Sequence, residues 1–336
     1  MRGPAYWRGG HCGIPDNRGM SPSPKAPEPN AHLLLPFAGV AEPAAMQALR
    51  DTPLPELSAL LARLQASAEH GSDEFSLNPP HEHALAWACG LPSADGQIPW
   101  AALHSAEPGL PQAWFHPAHF QVGMDHVSLV PAEHLGLDDA HARPLFEALA
   151  PLCAEDGVTL RYLGPTRWLA SGERLRGLAC ASLDRVAGRS IAPWQPQGEG
   201  AAWLKRLQSE AQMLFYTHPV NDAREAARQA IVNGFWASGA GAHAGGTQAP
   251  SPVVDDRLRE AALRADWAAW RKAWAALDAE VLPQWRERLA RGEPVAITLC
   301  GERLARTFTP SNAGWLARLG QRLRTAPSAH SVLDAL

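Results

Sequence analysis

Polar residues with ligand-binding chemistry cluster in one stretch of this sequence. His218, Asn221 and Arg224 place an imidazole, an amide and a guanidinium within two helical turns. The planar fork of an arginine suits a carboxylate or a phosphate. Further on, Asn233 opens a strand-like segment that ends in the Ser-Gly-Ala-Gly turn 238–241, whose backbone N–H groups can approach a polar ligand closely. A helix end, a loop and a buried strand without any ligand would show the same local pattern, so both interpretations stay open.

Histidines form two further groups with possible metal or acid–base chemistry. His81 and His83 could bind a metal, but their spacing places the rings on different helix faces, and a solvated helix start is the preferred interpretation. His116 and His119, with the Asp-His pair 125–126, could form a general-base or metal site. Packing of these histidines in loops is the preferred alternative.

Motifs of several enzyme classes are missing. Ser182 and Ser238 lack the G-x-S-x-G context of a hydrolase nucleophile. Gly239 and Gly241 begin no dinucleotide-binding G-x-G-x-x-G sequence. Three tryptophans at helical spacing predict a hydrophobic core rather than a ligand cage: Trp267, Trp270 and Trp274.

Composition limits the class of protein. A chain of 336 residues is long enough for two domains or one large α/β unit. The formal net charge of −4 argues against binding to nucleic acid or to an anionic membrane surface. The five cysteines are widely spaced and contain no C-x-x-C pair, which argues against a disulfide framework and a zinc knuckle. The absence of a long apolar run or an apolar signal core predicts a cytoplasmic protein without a membrane span.

Residues 1–30 are rich in Gly, Pro, Arg and Ser and are predicted to be disordered. After this segment, strand and helix patterns alternate along the chain. The predicted strands are 32–37, 125–130, 158–163, 167–170, 231–238, 295–300 and 303–308. The predicted helices are 54–68, 79–89 with Asn78 as N-cap, 139–157 capped by Asp138 or Asp139, 199–217 and 258–289. This alternation predicts an α/β fold.

Six segments of the sequence resemble the bacterial RpfE family, which is named as regulators of pathogenicity factors. They are residues 95–100, 117–126, 145–149, 181–189, 218–224 and 233–241. The same region is similar, more distantly, to the inserted domain of archaeal-type cofactor-independent phosphoglycerate mutases, which belong to the alkaline-phosphatase superfamily. Asp184 and the Gly-Arg pair 188–189 approximate an Asp-x-x-Gly-Lys loop of that family, with one extra residue and Arg in place of Lys.

The resemblance implies an alkaline-phosphatase-like, phosphoglycerate-mutase-like sheet with an inserted α+β lobe. Residues 31–114 and 242–336 are expected to form the α/β core, and residues 115–241 the lobe. It also implies a cleft that binds a small phosphorylated or carboxylate metabolite. The residues expected to line this cleft are His218, Asn221, Arg224, Asp184, Arg189, Asn233 and Ser238.

Departures from the mutase pattern concern the metal ligands. Such a mutase holds two divalent metals with a first-strand Asp-Gly-x-x-Asp segment and with late Asp/His clusters, and it uses a Ser nucleophile. Here residues 33–39 contain no Asp, and no histidine lies between His243 and His330. The late carboxylates offer only oxygen ligands, a poor substitute for a mixed site: Asp255, Asp256, Asp266 and Asp278.

We therefore predict a regulatory or ligand-binding protein that has lost the dimetal phosphoryl-transfer site and needs no cofactor. Its partner would be the metabolite or another protein. The alternative is an active Mn- or Zn-dependent mutase or phosphatase whose ligands have moved to His116, His119 and His126.

Overall fold

The computed structural model describes residues 31–310, except 104, 106 and 246–250, and residues 328–336. The predicted disordered segment 1–30 lies outside the described residues. The strands are β1 His32–Leu35, β2 Leu64–Gly71, β3 Gln112–Val122, β4 Val127–Pro131, β5 Thr159–Gly164, β6 Arg167–Ser171, β7 Gly234–Gly241, β8 Val253–Val254, β9 Ala296–Cys300 and β10 Leu304–Pro310. The helices are α1 Pro43–Arg50, α2 Pro55–Leu61, α3 Pro80–Cys89, α4 Asp139–Glu155, α5 Leu183–Val186, α6 Ala201–Tyr216, α7 Pro219–Ala226, α8 Arg259–Leu263, α9 Trp267–Ala276, α10 Leu282–Ala290 and α11 Ala329–Leu333.

One sheet, called here the mixed sheet, has the strand order β2-β10-β9-β1-β8. Strand β1 is parallel to both β8 and β9, whereas β10 is antiparallel to β9 and to β2. Strand β1 is buried along its whole length because it lies between two neighbours and is covered on both faces. The mixed sheet therefore joins chain segments from both ends of the sequence.

The other sheet, called here the antiparallel sheet, is centred on β3. Strand β3 pairs with β6 over its first half and with β4 over its second half, and it also pairs with β7. Strand β5 pairs with β6 at the edge. All its strands lie within residues 112–241. The division into a core of residues 31–114 and 242–336 and a lobe of residues 115–241 stays a prediction.

Each sheet has its own apolar core. The mixed sheet packs Leu33 and Leu35 against the tryptophans of α9. Trp270 and Trp274 are fully buried and donate their indole N–H groups to the carbonyls of Phe37 and Ala38. This confirms the core prediction for these two tryptophans. The antiparallel sheet packs its apolar face against α4 and α6.

The alternation of strands and helices confirms the predicted α/β class, and several local signals hold. Asp138 caps α4 by accepting a hydrogen bond from the backbone N–H of His141. Gly90 ends α3 in the left-handed conformation, with φ of 71°. The hairpin predicted for the last two strands is β9–β10.

Two predictions about elements are wrong, and a third element begins later than predicted. The helix expected over 54–68 ends at Leu61, and β2 follows, because these residues pair with β10 from the far end of the sequence. The strand expected over 231–238 begins only at Gly234. Both backbone groups of Val232 are bound by the side chain of Asn221 instead, which keeps them out of the sheet. The cap of α3 is Pro79 rather than Asn78.

Strand β3 was not predicted, although it is the centre of the antiparallel sheet. Pro117 interrupts its pattern, and proline is unusual in a paired central strand because it cannot donate to the ladder. Within the described residues, no helix is both long enough and apolar enough to cross a bilayer.

Candidate functional site

A cleft of about 490 Å³ lies between the two sheets. The mixed sheet contributes the carboxyl ends of its parallel strands, where Leu34 and Val254 line the wall. The antiparallel sheet contributes His116 from β3 and Ser238 from β7, and α3 contributes His81. Ligands of α/β proteins commonly bind outside the carboxyl ends of parallel strands. The cleft therefore occupies a place where this class of fold favours a binding site.

Asp184 forms the charged centre of one wall. Its Oδ2 atom lies 3.1 Å from Nε2 of His81, and its Oδ1 atom accepts from Nε of Arg259 at 2.8 Å and from Nη2 of the same residue. Burial alone would raise the pKa of this carboxyl, but the hydrogen bonds and charges of His81 and Arg259 outweigh burial and lower it. Asp184 is thus ionised at neutral pH and orients the His81 imidazole and the Arg259 guanidinium at the cleft.

Glu82 fixes the position of the neighbouring wall. Its Oε1 atom accepts from the hydroxyl of Ser182 at 2.5 Å, and its Oε2 atom accepts from Nδ2 of Asn78 at 2.6 Å. The carbonyl oxygen of the Asn78 side chain accepts from the backbone N–H of Gly96. Ser182 in turn caps α5 through the backbone N–H of Asp184. This network ties the start of α3 to the start of α5.

His116 and Ser238 form a hydrogen-bonded pair. Nδ1 of His116 lies 3.3 Å from the carbonyl oxygen of Thr166, which can only accept, so this nitrogen carries the proton. Nε2 then accepts from the Ser238 hydroxyl at 2.9 Å. Burial lowers the pKa of His116 to about 3; the bond to Thr166 opposes this shift, and the charge of Arg167 adds to it. His116 is therefore a neutral acceptor at pH 7.

Arg167 brings a guanidinium to the cleft. Its central carbon lies 4.8 Å from the centroid of the Trp114 ring, a cation–π contact that holds the side chain in place. No carboxylate in the described part of the chain lies within ion-pairing distance of it. A guanidinium without a carboxylate partner is free to receive an anion.

Asp256 adds a carboxyl whose pKa is shifted in the direction opposite to that of Asp184. Burial raises its pKa, and the carboxylates of Asp184 and Asp255 add to this effect against the charges of Arg259 and His81. The cleft therefore holds, beside Asp184, a second carboxyl that takes up a proton more readily than an exposed one does.

Of the seven residues expected to line one cleft, the structure brings together only Asp184 and Ser238. Asn221 is buried, donates to the carbonyls of Phe215 and Val232, and accepts from the N–H of Val232. It therefore joins the end of α6 to the segment before β7.

The side chains of Arg224 and His218 also form hydrogen bonds with the backbone. Arg224 is 1% exposed and donates to the carbonyls of Ala230 and Leu135. His218 caps α7, with Nδ1 accepting from the backbone N–H of Val220.

Asn233 and Arg189 lie outside the cleft as well. The Asn233 amide accepts from the N–H of Phe120 and donates to its carbonyl, so it extends the pairing of β3. Arg189 is exposed after α5. The five residues outside the cleft therefore do not meet at one place in the structure. That any of them binds a ligand stays a prediction.

One of the two histidine groups differs from its preferred interpretation. His81 is 8% exposed and paired with Asp184, so it is no part of a solvated helix start. His116, His119 and His126 do not converge. Nδ1 of His119 bonds the carbonyl of Ile231, and His126 pairs with Asp125 in the exposed turn between β3 and β4.

The late carboxylates are also dispersed. Asp278 accepts from the first backbone N–H groups of α2, Asp266 caps α9, and Asp255 pairs with Arg257. In the part of the chain that the structure describes, no group of three or more His, Cys, Asp or Glu residues is placed to hold a metal ion.

Four cleft residues were missed as site candidates or given another role: Arg167, Arg259, His81 and Glu82. The pair of Ser238 with His116 was also missed. These residues come from distant segments of the sequence; His116 and Ser238, for example, are 122 positions apart. The one available signal was alternation in 112–118, which places Trp114 and His116 on the same face of a strand.

No family model and no curated protein matches the chain. Among solved structures, it is similar to a cofactor-independent phosphoglycerate mutase from Thermoplasma acidophilum DSM 1728, with 12% identity over 91% of this chain and 99% of that one, at a TM-score of 0.34. It is also similar to the PH0037 protein from Pyrococcus horikoshii, with 10% identity over 86% of this chain and 89% of that one, at a TM-score of 0.44. Similarity at this level carries no conclusion about activity or site residues.

Proposed function

We propose that this protein binds a small phosphorylated or carboxylate metabolite in the cleft between its two sheets. The observation that carries the proposal is Arg167, whose guanidinium lines the cleft, rests on Trp114 and has no carboxylate partner among the described residues. Bidentate hydrogen bonds from a pre-positioned arginine are a strong means of holding a planar carboxylate or a phosphate.

The other charged groups favour a ligand with both an anionic and a polar end. Arg259 lines the same cleft but already pairs with Asp184, whose negative charge partly neutralises it and weakens its attraction for an anion. The side chains of Asp256 and Ser238 line the same cleft and supply polar contacts for the rest of the ligand. A metabolite with one strongly acidic group and a hydroxylated remainder fits this distribution.

The proposal includes that the protein binds its ligand without Mn or Zn, the metals of a dimetal phosphoryl-transfer enzyme. A two-metal site needs several carboxylates and imidazoles around ions about 3.5–4 Å apart. The described carboxylates Asp255, Asp266 and Asp278 are engaged at separate places, which supports the proposal. The fold arrangement of the alkaline-phosphatase superfamily and the regulatory role implied by the RpfE resemblance belong to the same proposal.

The test is calorimetric titration of the full chain with 3-phosphoglycerate and with inorganic phosphate. Arg167→Gln is expected to weaken binding by about tenfold to a hundredfold, because a hydrogen bond to a charged group is worth about 1.5–3 kcal/mol. Arg291→Gln removes an exposed guanidinium on the end of α10 and should leave the affinity unchanged. Equal affinities of wild type and Arg167→Gln would contradict the proposal.

Elemental analysis of the same samples tests the metal part. We expect less than one equivalent of Mn or Zn per chain, and no interconversion of 3- and 2-phosphoglycerate. Two tightly held metals together with mutase turnover would show that the alternative, a rewired metal enzyme, is correct.

A further inference from the structure

Apart from the anion contact of Arg167, the Ser238–His116 pair is the strongest chemical feature of the cleft. Both side chains line the cleft, yet each is buried, with 6% and 5% of the residue exposed. The serine hydroxyl points at a ring nitrogen 2.9 Å away. The opposite ring nitrogen is held by the Thr166 carbonyl, which fixes both the tautomer and the orientation of the ring. A hydroxyl, an acceptor imidazole and an orienting group are the parts of an activated nucleophile.

A local irregularity of the sheet aims Ser238 into the cleft. The register of β3 and β7 shifts between Gln112 and Trp114, opposite the segment 238–241. Gly239 has a φ of 61°, and a Cβ atom there would lie 3.0 Å from the Trp114 ring and 3.1 Å from Cβ of Trp100. Bulges of this kind often lie beside active sites because they redirect one side chain. A side chain at position 239 would therefore be both strained and crowded, so glycine is favoured next to Ser238.

We propose that Ser238 is a nucleophile for acyl transfer, with His116 as its general base, and that its substrate is a small ester bearing a carboxylate that Arg167 binds. The identity of the substrate class rests on the proposed anion binding, whereas the reactivity of Ser238 does not. The chemistry is hydrolysis of one ester bond, and its co-reactant is water.

The reaction consumes one ester and one water, and His116 carries the proton between its steps. The Ser238 oxygen attacks the ester carbonyl carbon while its proton passes to Nε2 of His116, and the carbonyl π electrons move onto the carbonyl oxygen. Collapse of this intermediate breaks the bond to the leaving alkoxide, which takes the proton from His116 and departs as an alcohol. Water then attacks the acyl-serine by the same proton route, and the products are an acid, an alcohol and free Ser238.

Arg167 links substrate binding to the strength of the base. Its positive charge is one cause of the lowered pKa of His116, after burial. A carboxylate bound to Arg167 neutralises this charge and makes protonation of His116 easier. The pair is therefore a weak base in the empty cleft and a stronger one when an anionic ester is bound.

Covalent labelling tests the nucleophile directly. The full chain is incubated with a fluorophosphonate, whose P–F bond breaks as an O–P bond forms to an activated serine, and the adduct is located by peptide mass spectrometry. We expect one adduct, on Ser238, that Ser238→Ala abolishes. His116→Gln should slow labelling about a hundredfold, in the range of general-base contributions. Ser209→Ala, which removes an exposed hydroxyl on α6, is the matched control and should not change the rate.

Ester turnover tests the substrate class. Wild type is expected to hydrolyse mono-p-nitrophenyl succinate about tenfold faster, in kcat/KM, than neutral p-nitrophenyl acetate, and Arg167→Gln should lose this preference. Retained circular dichroism and melting temperature of each variant show that it is folded.

The outcomes separate the two proposals. No adduct on Ser238 in folded wild-type protein, or an adduct on Ser182 instead, overturns the nucleophile while leaving anion binding intact. An adduct on Ser238 together with 3-phosphoglycerate affinity that Arg167→Gln does not change overturns the anion site and leaves the nucleophile standing.

Discussion

Asn221 shows how one side chain can replace a stretch of backbone pairing. Its amide makes three hydrogen bonds to main-chain atoms of Phe215 and Val232, all of them buried. An amide has both donors and an acceptor, so it can pair with an N–H and a C=O of one residue as a strand would. Val232, just before β7, is thus held in place by this side chain rather than by strand pairing.

We expect Asn221→Ala to destabilise the protein by about 3 kcal/mol, because it leaves buried donors and acceptors without partners. Urea unfolding measures the change. Gln229→Ala, the loss of an exposed amide nearby, should cost less than about 0.5 kcal/mol. Binding of 3-phosphoglycerate by the folded variant should be unchanged, and loss of binding with full stability would instead make Asn221 a ligand-binding residue.

His32 is the buried polar residue of strand β1. Its Nε2 atom lies 2.7 Å from the hydroxyl of Thr298, which is itself bonded to Thr307, so the chain of hydrogen bonds crosses three neighbouring strands. Burial lowers the pKa of His32 to about 4, and the nearby His70 adds to the effect. The imidazole is therefore neutral in the folded protein at physiological pH.

This shift predicts a pH dependence of stability. Because the pKa of His32 is lower in the folded state than the 6.5 of the unfolded state, its contribution is fully present above pH 6.5 and is lost as the pH falls toward 4. The loss should reach about 3 kcal/mol. His32→Gln cannot take up a proton, so its free energy of unfolding should vary less over this range. Identical pH profiles of the two proteins in urea unfolding would refute this assignment.

Two glycines with left-handed backbone, one at the end of α3 and one in a turn between α3 and β3, differ in what surrounds them. Gly90 and Gly96 both have a φ of 71°. A Cβ atom at Gly90 would meet nothing within 4 Å, whereas one at Gly96 would lie 2.5 Å from Cδ1 of Leu77 and 2.9 Å from Cβ of Ala179. The two sites share the backbone strain of an L-residue but differ in packing.

The pair offers a matched test at the level of the element. Gly90→Ala should cost about 1 kcal/mol, the strain of the left-handed conformation. Gly96→Ala should cost about 3 kcal/mol or more, because overpacking adds to this strain. Equal free energies of unfolding for the two variants would mean that the turn at Gly96 is not packed as described.

At the scale of the whole molecule, Asp184 connects the two sheets. It belongs to the segment that contains the antiparallel sheet, and its partners His81 and Arg259 lie in segments next to strands of the mixed sheet. Ion pairs that are largely buried are costly to break, because the remaining charges lose their partner without regaining water. This cluster therefore helps to hold the cleft in its shape.

Asp184→Asn is expected to lower the free energy of unfolding by about 3 kcal/mol at pH 7. Since the carboxyl pKa is lowered on folding, this contribution is present above the ordinary value of 3.8 and disappears as the pH falls below it, so the variant and wild type should converge in acid. Glu287→Gln, at an exposed pair with Arg291, should change stability by less than about 0.5 kcal/mol. A constant difference across the acid range would exclude the ionised carboxylate as the cause.

Local sequence determined the features that depend on near neighbours. The alternation of patterns indicated the α/β class, Asp138 indicated the start of α4, and the spacing of Trp270 and Trp274 indicated a core-facing helix. Each of these follows from periodicity or capping within a few residues. The helix expected over 54–68 failed where a distant partner, β10, competed for the same residues.

Only the tertiary structure decided which polar residues meet. Arg224 has a side chain suited to binding an anion, but it is buried, and its Nε and Nη2 atoms donate to carbonyls that the folded backbone places beside them. His116 and Ser238 carry no common motif, and they form a pair because β7 lies against β3. A side chain's chemistry is encoded locally, whereas its partners depend on strand register and burial, which the whole chain sets together.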